Sequence, residues 1–231
     1  MNWQEFTALL GLATAMSFSP GPNTTLATTL AANHGLRRTL PFVCAVPLGW
    51  GALLSLCAFG LGAMLLALPA LAWAIKGAGA LYMVWLAGKL IGIRLPPVRP
   101  ASRSPVATAA ANSPASAATA PALPDRPQFS QPMVTFWQGA ALQFVNIKAW
   151  MLALAIVGGW IAGRSDAGLR FAVVLQVMLV FAFVSNLCYA LVGSLLQGWL
   201  DGPGNSGRRR VGFNRLMAAV LAATAVWMLL A

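Results

Sequence analysis

Two short polar segments interrupt long apolar stretches of this 231-residue chain, and they contain the residue types that could bind a small charged molecule. The first segment is Ser19-Pro20-Gly21-Pro22-Asn23-Thr24, and the second is Gln143-Phe144-Val145-Asn146-Ile147-Lys148. In lipid, irregular backbone persists only where protein or a water-filled cavity satisfies its amides and carbonyls. Helix breaks in corresponding places of two halves are typical of a transporter's binding site.

The first segment predicts a broken helix whose second half begins at an anion site. Pro20 and Pro22 each remove an amide donor, and Gly21 permits backbone conformations that other residues avoid. Ser19 or Asn23 is available to cap the helix that follows. The free amides and the positive dipole end of that helix favour a carboxylate. The alternative is a proline kink that binds nothing.

The second segment places Lys148 about midway along its apolar stretch. An ionised lysine at the bilayer centre costs roughly 3 kcal/mol on insertion scales, and no apolar stretch contains Asp or Glu to pair with it. We therefore expect Lys148 to be neutral, bonded to carbonyls of a broken helix, hydrated in a cavity, or paired with a substrate carboxylate. Gln143 and Asn146 add hydrogen-bonding groups nearby. Snorkelling to the interface suits Lys76 and Lys89 better, because they lie near the ends of their stretches.

Lys148 is also the sequence's candidate for coupling transport to protons. Transporters usually carry protons on acidic side chains within the membrane, and this sequence has none there. If Lys148 is neutral in the empty site and charged when a substrate carboxylate binds, binding takes up a proton and release returns it.

The composition indicates a membrane protein. The chain is 59% hydrophobic and only 8% charged, whereas soluble domains have about 25% charged residues. The net charge of +11 would indicate nucleic-acid binding in a soluble protein, but the basic residues lie between apolar runs, so we expect no nucleic-acid partner. Cys44, Cys57 and Cys188 show no metal-ligand spacing. His34 is expected to be a solvated loop residue, and neither a metal nor a cofactor is predicted.

Hydropathy predicts six membrane spans, since a transmembrane helix needs about 20 mainly apolar residues. A turn near Pro69 divides the uncharged run from Thr39 to Ile75. The spans lie at approximately residues 6–32, 39–66, 70–93, 133–162, 168–198 and 211–231.

A segment rich in Pro, Ala and Ser, residues 96–132, divides the chain into halves 1–95 and 133–231. This composition predicts a flexible cytoplasmic linker. Three spans per half would insert the second half upside down relative to the first, as in inverted-repeat transporters. The expected fold is an all-α integral membrane protein of six transmembrane helices, arranged as two inverted three-helix repeats with helices 1 and 4 broken.

The basic residues predict the orientation. Of the 15 Lys and Arg residues, eleven lie in or beside the 1–2, 3–4 and 5–6 connections, three lie on the other side, and Lys148 is the remaining one. The positive-inside rule then places these three connections in the cytoplasm and both termini outside. The glycine pairs Gly88/Gly92 and Gly159/Gly163 have the spacing that permits close helix contact.

At both break motifs and in several stretches around them, the chain resembles the LysE/RhtB family of bacterial amino-acid exporters. The resemblance implies a six-span inner-membrane translocator that exports amino acids or close derivatives and is driven by the proton gradient. The family usually has Asn-Pro-Lys where this chain has Ile147 in the middle, so we expect a milder second break. The resemblance rests on Ser19 to Thr24, Gly35 to Arg38, Gly60 to Ala63, Lys76 to Leu86, Phe136 to Gly139 and Asn146 to Ala149.

The motif residues of the two breaks form the predicted substrate site: Ser19, Gly21, Pro22, Asn23, Thr24, Gln143, Asn146 and Lys148. Amide groups and one lysine suit the carboxylate common to all amino acids, and without a pocket carboxylate a cationic side chain lacks a counter-ion, so neutral amino acids are favoured. The expected partners are an amino acid, protons and the lipid bilayer, and a homodimer stays open.

Two other functions remain as alternatives to transport. A transmembrane thiol-redox carrier would need Cys44 and Cys188 to approach each other. A small intramembrane enzyme would need acid–base or nucleophilic groups within the spans, and the sequence offers no carboxylate or histidine there, so an enzyme is not expected.

Overall fold

The computed structural model of the chain describes residues 1–61, 67–91, 134–202 and 207–230, and these residues form α-helices without any β-strand. Short π-helical segments, Cys57–Leu61 and Val157–Ile161, follow α3 and α6. The predicted linker, 96–132, lies outside the described residues. The helices are α1 (Trp3–Phe18), α2 (Pro22–His34), α3 (Leu36–Leu56), α4 (Pro69–Ile91), α5 (Phe136–Val145), α6 (Ile147–Ile156), α7 (Ala167–Leu200) and α8 (Arg208–Leu230).

Four helical segments are long and apolar enough to cross a membrane: Leu36–Gly60, Trp73–Ile91, Ala167–Leu200 and Arg208–Leu230. A fifth span results if α5 and the helix after it, bent by 68° relative to each other, cross together. The pair α1 and α2, with 16 and 13 residues, is not among these candidates. The prediction of an all-helical membrane protein is confirmed, and the six-span count stays a prediction.

Polar side chains concentrate inside the molecule, and large apolar side chains face outward. Gln143 is fully buried, and Asn146 and Asn186 are each 3% exposed. By contrast, Leu81 and Leu195 are 74% and 80% exposed. An outer surface this apolar is suited to lipid, and interior polar groups in such a protein mark sites and pathways.

The packing of the helices relates the two halves of the chain. In the first half, α1 and α2 form the broken helix; in the second half, α5 and α6 do. The broken helix of each half packs on the first unbroken helix of the other half, so α2 lies along α7 and α5 lies along α3. Helices at the same place in the order of each half also pack on each other, α3 on α7 and α4 on α8.

Glycines other than the predicted ones bring helices into close contact. A Cβ atom on Gly79 of α4 would collide with the carbonyl oxygen of Val145, and one on Gly193 of α7 would collide with that of Thr28. The spacing of the glycine pairs chosen from the sequence permits contact without saying whether a partner covers that face, and Gly92 lies outside the described residues. Open space surrounds the described members of the predicted pairs, Gly88, Gly159 and Gly163.

An ion-pair cluster joins the start of α1 to the start of α7. Arg170 donates to Asp166 at 2.6 Å and to Glu5 at 3.0 Å. The amino group of Met1 lies 3.5 Å from Asp166, and Arg164 lies 3.5 Å from Glu5. The hydrogen bond from Arg170 lowers the pKa of Asp166 below its ordinary value of 3.8. The N-terminus and the connection between α6 and α7, which joins spans 4 and 5, therefore lie at the same end of the molecule.

The opposite end carries a second polar cluster between α2 and α8. Arg210 pairs with Asp201 and reaches the carbonyl oxygen of Asn33, and Asn33 donates to Asn214 at 2.8 Å. His34, the last residue of α2, is half-buried, and burial followed by the charge of two arginines lowers its pKa. The connection between α2 and α3 (spans 1 and 2) and the one between α7 and α8 (spans 5 and 6) thus share an end, as the predicted topology requires.

Candidate functional site

The first break lies between α1 and α2 and is capped by Thr24. The Thr24 hydroxyl accepts a hydrogen bond from the Gly21 amide at 3.0 Å and donates to the Gly21 carbonyl at 3.0 Å. Neither Ser19 nor Asn23 caps the helix, so that prediction was wrong. Gly21 has φ −173° and ψ −176°, an extended conformation that any residue adopts, so glycine is not required here for its backbone freedom.

The second break persists although Ile147 replaces the proline of the family pattern. Asn146 takes φ −92° and ψ 101°, and its side-chain oxygen accepts from the Lys148 amide at 3.2 Å, which caps α6. The indole of Trp150 donates to the carbonyl of Phe144 at 2.8 Å, one of the carbonyls left without a helical partner at the end of α5. Capping and this indole bond therefore stabilise the break without a proline.

The freed carbonyls at the end of α1 also have partners from elsewhere in the fold. The Tyr189 hydroxyl donates to the Phe18 carbonyl at 2.8 Å, and the Ser19 hydroxyl donates to the Met16 carbonyl at 3.0 Å. Satisfying these groups internally is what lipid surroundings demand of irregular backbone.

Lys148 joins the two breaks. Its Nζ donates to the Ser19 hydroxyl at 2.6 Å and to the Ser19 carbonyl at 3.4 Å. The lysine therefore lies at the end of α1, beside carbonyls that have no partner within that helix. Within the part of the chain that the structure describes, the carboxylates lie in the end clusters, so all partners of Lys148 are neutral oxygens.

Asn23 and Gln143 form a second link between the breaks. The two side-chain amides exchange hydrogen bonds, from Asn23 to Gln143 at 2.9 Å and back at 3.1 Å. Gln143 also donates to the Gly139 carbonyl at 3.2 Å and is fully buried. It lies behind the site rather than in the cavity wall described next, and it fixes α5 against α2.

A partly open cavity lies beside this junction, and its empty space, including the part that opens outward, is about 540 Å³. The structure brings seven of the eight predicted residues to its wall, and Gln143 is the exception. The seven are Ser19, Gly21, Pro22, Asn23, Thr24, Asn146 and Lys148.

Sequence reasoning missed the contribution of α7 to this wall. Ser185 and Asn186 line the cavity together with Met178. The signal was present, because Ser185-Asn186 is a polar pair inside the long apolar stretch 167–200. Trp50 of α3 also lies in the wall and is 5% exposed.

A second cavity of about 1120 Å³ reaches the same junction from the side of α8. Its outer wall includes Thr224 and Trp227. The hydrogen bond between Lys148 and Ser19 lies in the wall that separates the two cavities, because both residues line each of them.

Comparison with known proteins matches nearly the whole chain. The model of the LysE type translocator family matches residues 14–231, which include both breaks. The cysteine/O-acetylserine efflux proteins of Escherichia coli (strain K12) and Shigella sonnei (strain Ss046) are each 31% identical over 188 residues, covering 80% of this chain and 80% of each relative. No solved structure matches.

Proposed function

This chain belongs to the LysE type translocator family, and from that premise we propose that it exports small neutral α-amino acids across the bacterial inner membrane. Relatives named as cysteine/O-acetylserine efflux proteins support an α-amino acid as the substrate. Membership in a family of translocators favours transport over the thiol-redox carrier and the intramembrane enzyme.

The observation that carries the proposal is the meeting of two helix breaks at one lysine beside a cavity. Lys148 contacts Ser19 across the breaks, and both line the cavity of about 540 Å³. Helix breaks that face a cavity are where transporters bind their substrates.

The substrate carboxylate binds at this junction by taking the place of Ser19 beside Lys148. A carboxylate supplies the negative charge that the lysine lacks, and the first turn of α2 adds backbone amides at the positive end of its dipole. The Ser19 hydroxyl, released from Lys148, keeps its own hydrogen bond to the Met16 carbonyl.

The rest of the cavity suits a small neutral side chain. Val46, Trp50, Leu152 and Met178 supply an apolar wall. The described lining contains no carboxylate, so a cationic side chain would lose its hydration without gaining a counter-ion. We therefore place cysteine, serine and their close derivatives within the substrate class, and lysine and arginine outside it.

Proton coupling follows from the same lysine. Lys148 is uncharged in the empty site and charged in the loaded site, so the substrate carboxylate and a proton bind together and leave together. The described carboxylates are held in ion pairs at the two ends of the molecule, which leaves Lys148 as the titratable group of the junction.

The architecture that we propose is the six-span inverted repeat, with halves 1–95 and 133–231 joined by a cytoplasmic linker, 96–132. Its support is the packing between the halves, in which the broken helix of each half lies on the first unbroken helix of the other: α2 on α7, and α5 on α3. In this arrangement α1 and α2 cross the membrane together as one broken span, as α5 and α6 do.

A test compares cells with and without the gene after feeding dipeptides. Cells that lack the gene are expected to accumulate free cysteine or serine inside, and a plasmid copy restores the lower level. A lysine-containing dipeptide is the control, and its internal lysine is expected to be the same in both strains. Equal internal levels of every neutral amino acid in the two strains would contradict export.

A further inference from the structure

We propose that Asn186 binds the ammonium group of the exported amino acid, which makes α7 the element that distinguishes amino acids from other carboxylates. This inference rests on the proposed function and extends it from the carboxylate to the second group that every α-amino acid shares. It assigns Asn186 a contact with substrate in the same cavity as Lys148.

Asn186 is a buried polar residue whose side-chain oxygen has no hydrogen-bond partner. It is 3% exposed, and its amide nitrogen donates to the Ala182 carbonyl at 2.8 Å. Its Oδ1 has no partner, and in the described part of the chain it is the one buried side-chain polar atom in that condition. The bond to Ala182 fixes the side chain, because only the nitrogen can donate to a carbonyl.

An unpaired acceptor in this place is unfavourable for folding alone. Leaving a buried acceptor unsatisfied destabilises a protein, and an apolar residue of similar shape would avoid that penalty. The other buried amides of the structure show the usual solution: Asn23 and Gln143 pair with each other, and Asn33 pairs with Asn214. The exception at Asn186 therefore marks a group kept for a ligand.

The chemistry of the free atom selects the ligand group. Oδ1 is an acceptor only, so it suits an N–H donor. The neighbouring Ser185 hydroxyl donates to the Ala182 carbonyl at 3.2 Å and leaves an oxygen lone pair on the same wall. No carboxylate is present among the described lining residues to bind an ammonium more strongly, so the amide is its best partner.

The two ends of the substrate are then recognised by different elements. The carboxylate lies at the junction of the broken helices, and the ammonium lies against α7. Oδ1 exposes almost no surface in this conformation, so the ammonium reaches it only when α7 separates slightly from the broken helices. The contact therefore belongs to a loaded state and is made as the substrate is enclosed.

The test measures transport into proteoliposomes containing the full-length chain. Serine is the amino-acid probe, and 3-hydroxypropanoate, which is serine without its amino group, is the matched competitor. Asn186→Leu removes the acceptor and keeps a similar shape. The control variant is Ser194→Ala, which removes a hydroxyl bonded within the same helix, to the Leu191 carbonyl.

We expect Asn186→Leu to weaken serine binding by about ten- to hundredfold, the value of a hydrogen bond to a charged group. Inhibition by 3-hydroxypropanoate should stay unchanged, so the preference for serine over its deaminated analogue shrinks by the same factor. The melting temperature should not fall, because an unsatisfied acceptor has been replaced by an apolar group. Ser194→Ala should behave as wild type.

Two results would overturn the inference while leaving the proposed function intact. Equal weakening of serine and 3-hydroxypropanoate, with a lower melting temperature, would assign Asn186 a packing role. Unchanged serine binding in Asn186→Leu would show that Asn186 does not contact the substrate. Failure of the proposed function is distinguishable, because the wild-type protein would then transport no neutral amino acid, and the inference would fall with it.

Discussion

At the scale of single residues, Lys148 determines the electrostatics of the site. It donates to the hydroxyl and carbonyl of Ser19 and has no acidic partner among the described residues. A lone cation within the membrane is costly, so its retention at the junction of both breaks indicates a role in binding a negative ligand. When substrate binds, its carboxylate would replace Ser19 as the hydrogen-bond partner of Lys148.

Lys148→Met is expected to eliminate pH-dependent export and leave the protein in the membrane at its normal level. The substitution keeps the approximate length of the side chain and removes both its charge and its titration. Transport at several external pH values, together with the amount of protein in the membrane, measures the effect. Lys89→Met is the control, since Lys89 is exposed and lies over the Trp85 ring at 3.9 Å.

Two results would change the role of this lysine. If Lys148→Met removes folded protein, the lysine acts as a structural tether to the end of α1. If export and its pH dependence are both unchanged, the coupling group lies elsewhere, and Lys76 becomes the next candidate.

A small and a large substitution of Gly21 together test whether the first break binds substrate. A Cβ at this position would lie 3.5 Å from the Lys148 ammonium, an ordinary contact, and the backbone is extended. Gly21→Ala should therefore fold and transport as wild type. Gly21→Leu should fold but fill the space where the carboxylate binds, with a loss of about ten- to hundredfold in affinity.

Transport assays with both Gly21 variants, normalised to protein in the membrane, measure this difference. Full transport by a well-expressed Gly21→Leu protein would show that the first break is a kink without a ligand.

The sequence predicted the residues of the site better than their local roles. Ser19 and Lys148 belong to motifs that are polar within apolar stretches, and this contrast is visible without a structure. The cap by Thr24 and the acceptor on Asn186 were missed because each depends on a partner or its absence in three dimensions. A side chain's type states which bonds it can make, and the fold decides which ones it does make.

At the scale of helices, the breaks are stable because other elements complete their hydrogen bonds. Tyr189 of α7 serves the end of α1, and Trp150 of α6 serves the end of α5. The second break survives the replacement of the family's proline by Ile147 for this reason. Proline is one way to free a carbonyl, and a capping Asn146 with an indole donor maintains the break without it.

Close helix packing leads to a matched pair of substitutions on α4. A Cβ at Gly79 would collide with the backbone carbonyl of Val145, whereas one at Gly88 would meet open space. Gly79→Ala should lower the melting temperature of the purified protein, since overpacking costs about 1–3 kcal/mol, and Gly88→Ala should not. Equal melting temperatures would show that α4 and α5 can separate without cost.

This pair also shows a limit of sequence analysis for packing. Gly88 was selected by its spacing from Gly92, while Gly79 lies in Gly77-Ala78-Gly79-Ala80, where several small residues are adjacent. Only the position of α5 determines which of these faces is covered. The existence of the long helices follows from hydropathy, and their partners do not.

At the scale of the whole molecule, acid should weaken the cluster that joins α1 to α7. The pKa of Asp166 is lowered by the hydrogen bond from Arg170, so its contribution to stability is present above about pH 3.8 and is lost as the pH falls through the lower folded-state pKa. Asp166→Asn should lower the melting temperature at pH 7 and reduce its decline between pH 5 and 3. Ser165→Ala, at the adjacent exposed position, is the control. Parallel curves for Asp166→Asn and wild type would show that the ion pair does not stabilise this end.

The distribution of charge over the two ends also predicts the orientation in the membrane. The structure places the N-terminus and the α6–α7 connection at one end. The α2–α3 and α7–α8 connections lie at the other end. The second end carries Arg37, Arg38 and the run 208–210, and the first end carries Arg164 and Arg170. The positive-inside rule therefore places the second end in the cytoplasm.

Ser165 and Arg37 are exposed residues at opposite ends, and single cysteines at these positions test the orientation. The background replaces the three native cysteines, Cys44, Cys57 and Cys188. A membrane-impermeant maleimide should label Ser165→Cys in intact cells, and it should label Arg37→Cys only after the membrane is permeabilised. The reverse pattern would invert the orientation, and labelling of both in intact cells would contradict the crossing of the membrane by α5 and α6 together, since α3, α4 and this pair separate the two positions. A reporter fused after Ala231 adds an independent measurement, since three spans after a cytoplasmic linker place the C-terminus outside, and a reporter found in the cytoplasm would contradict the six-span count.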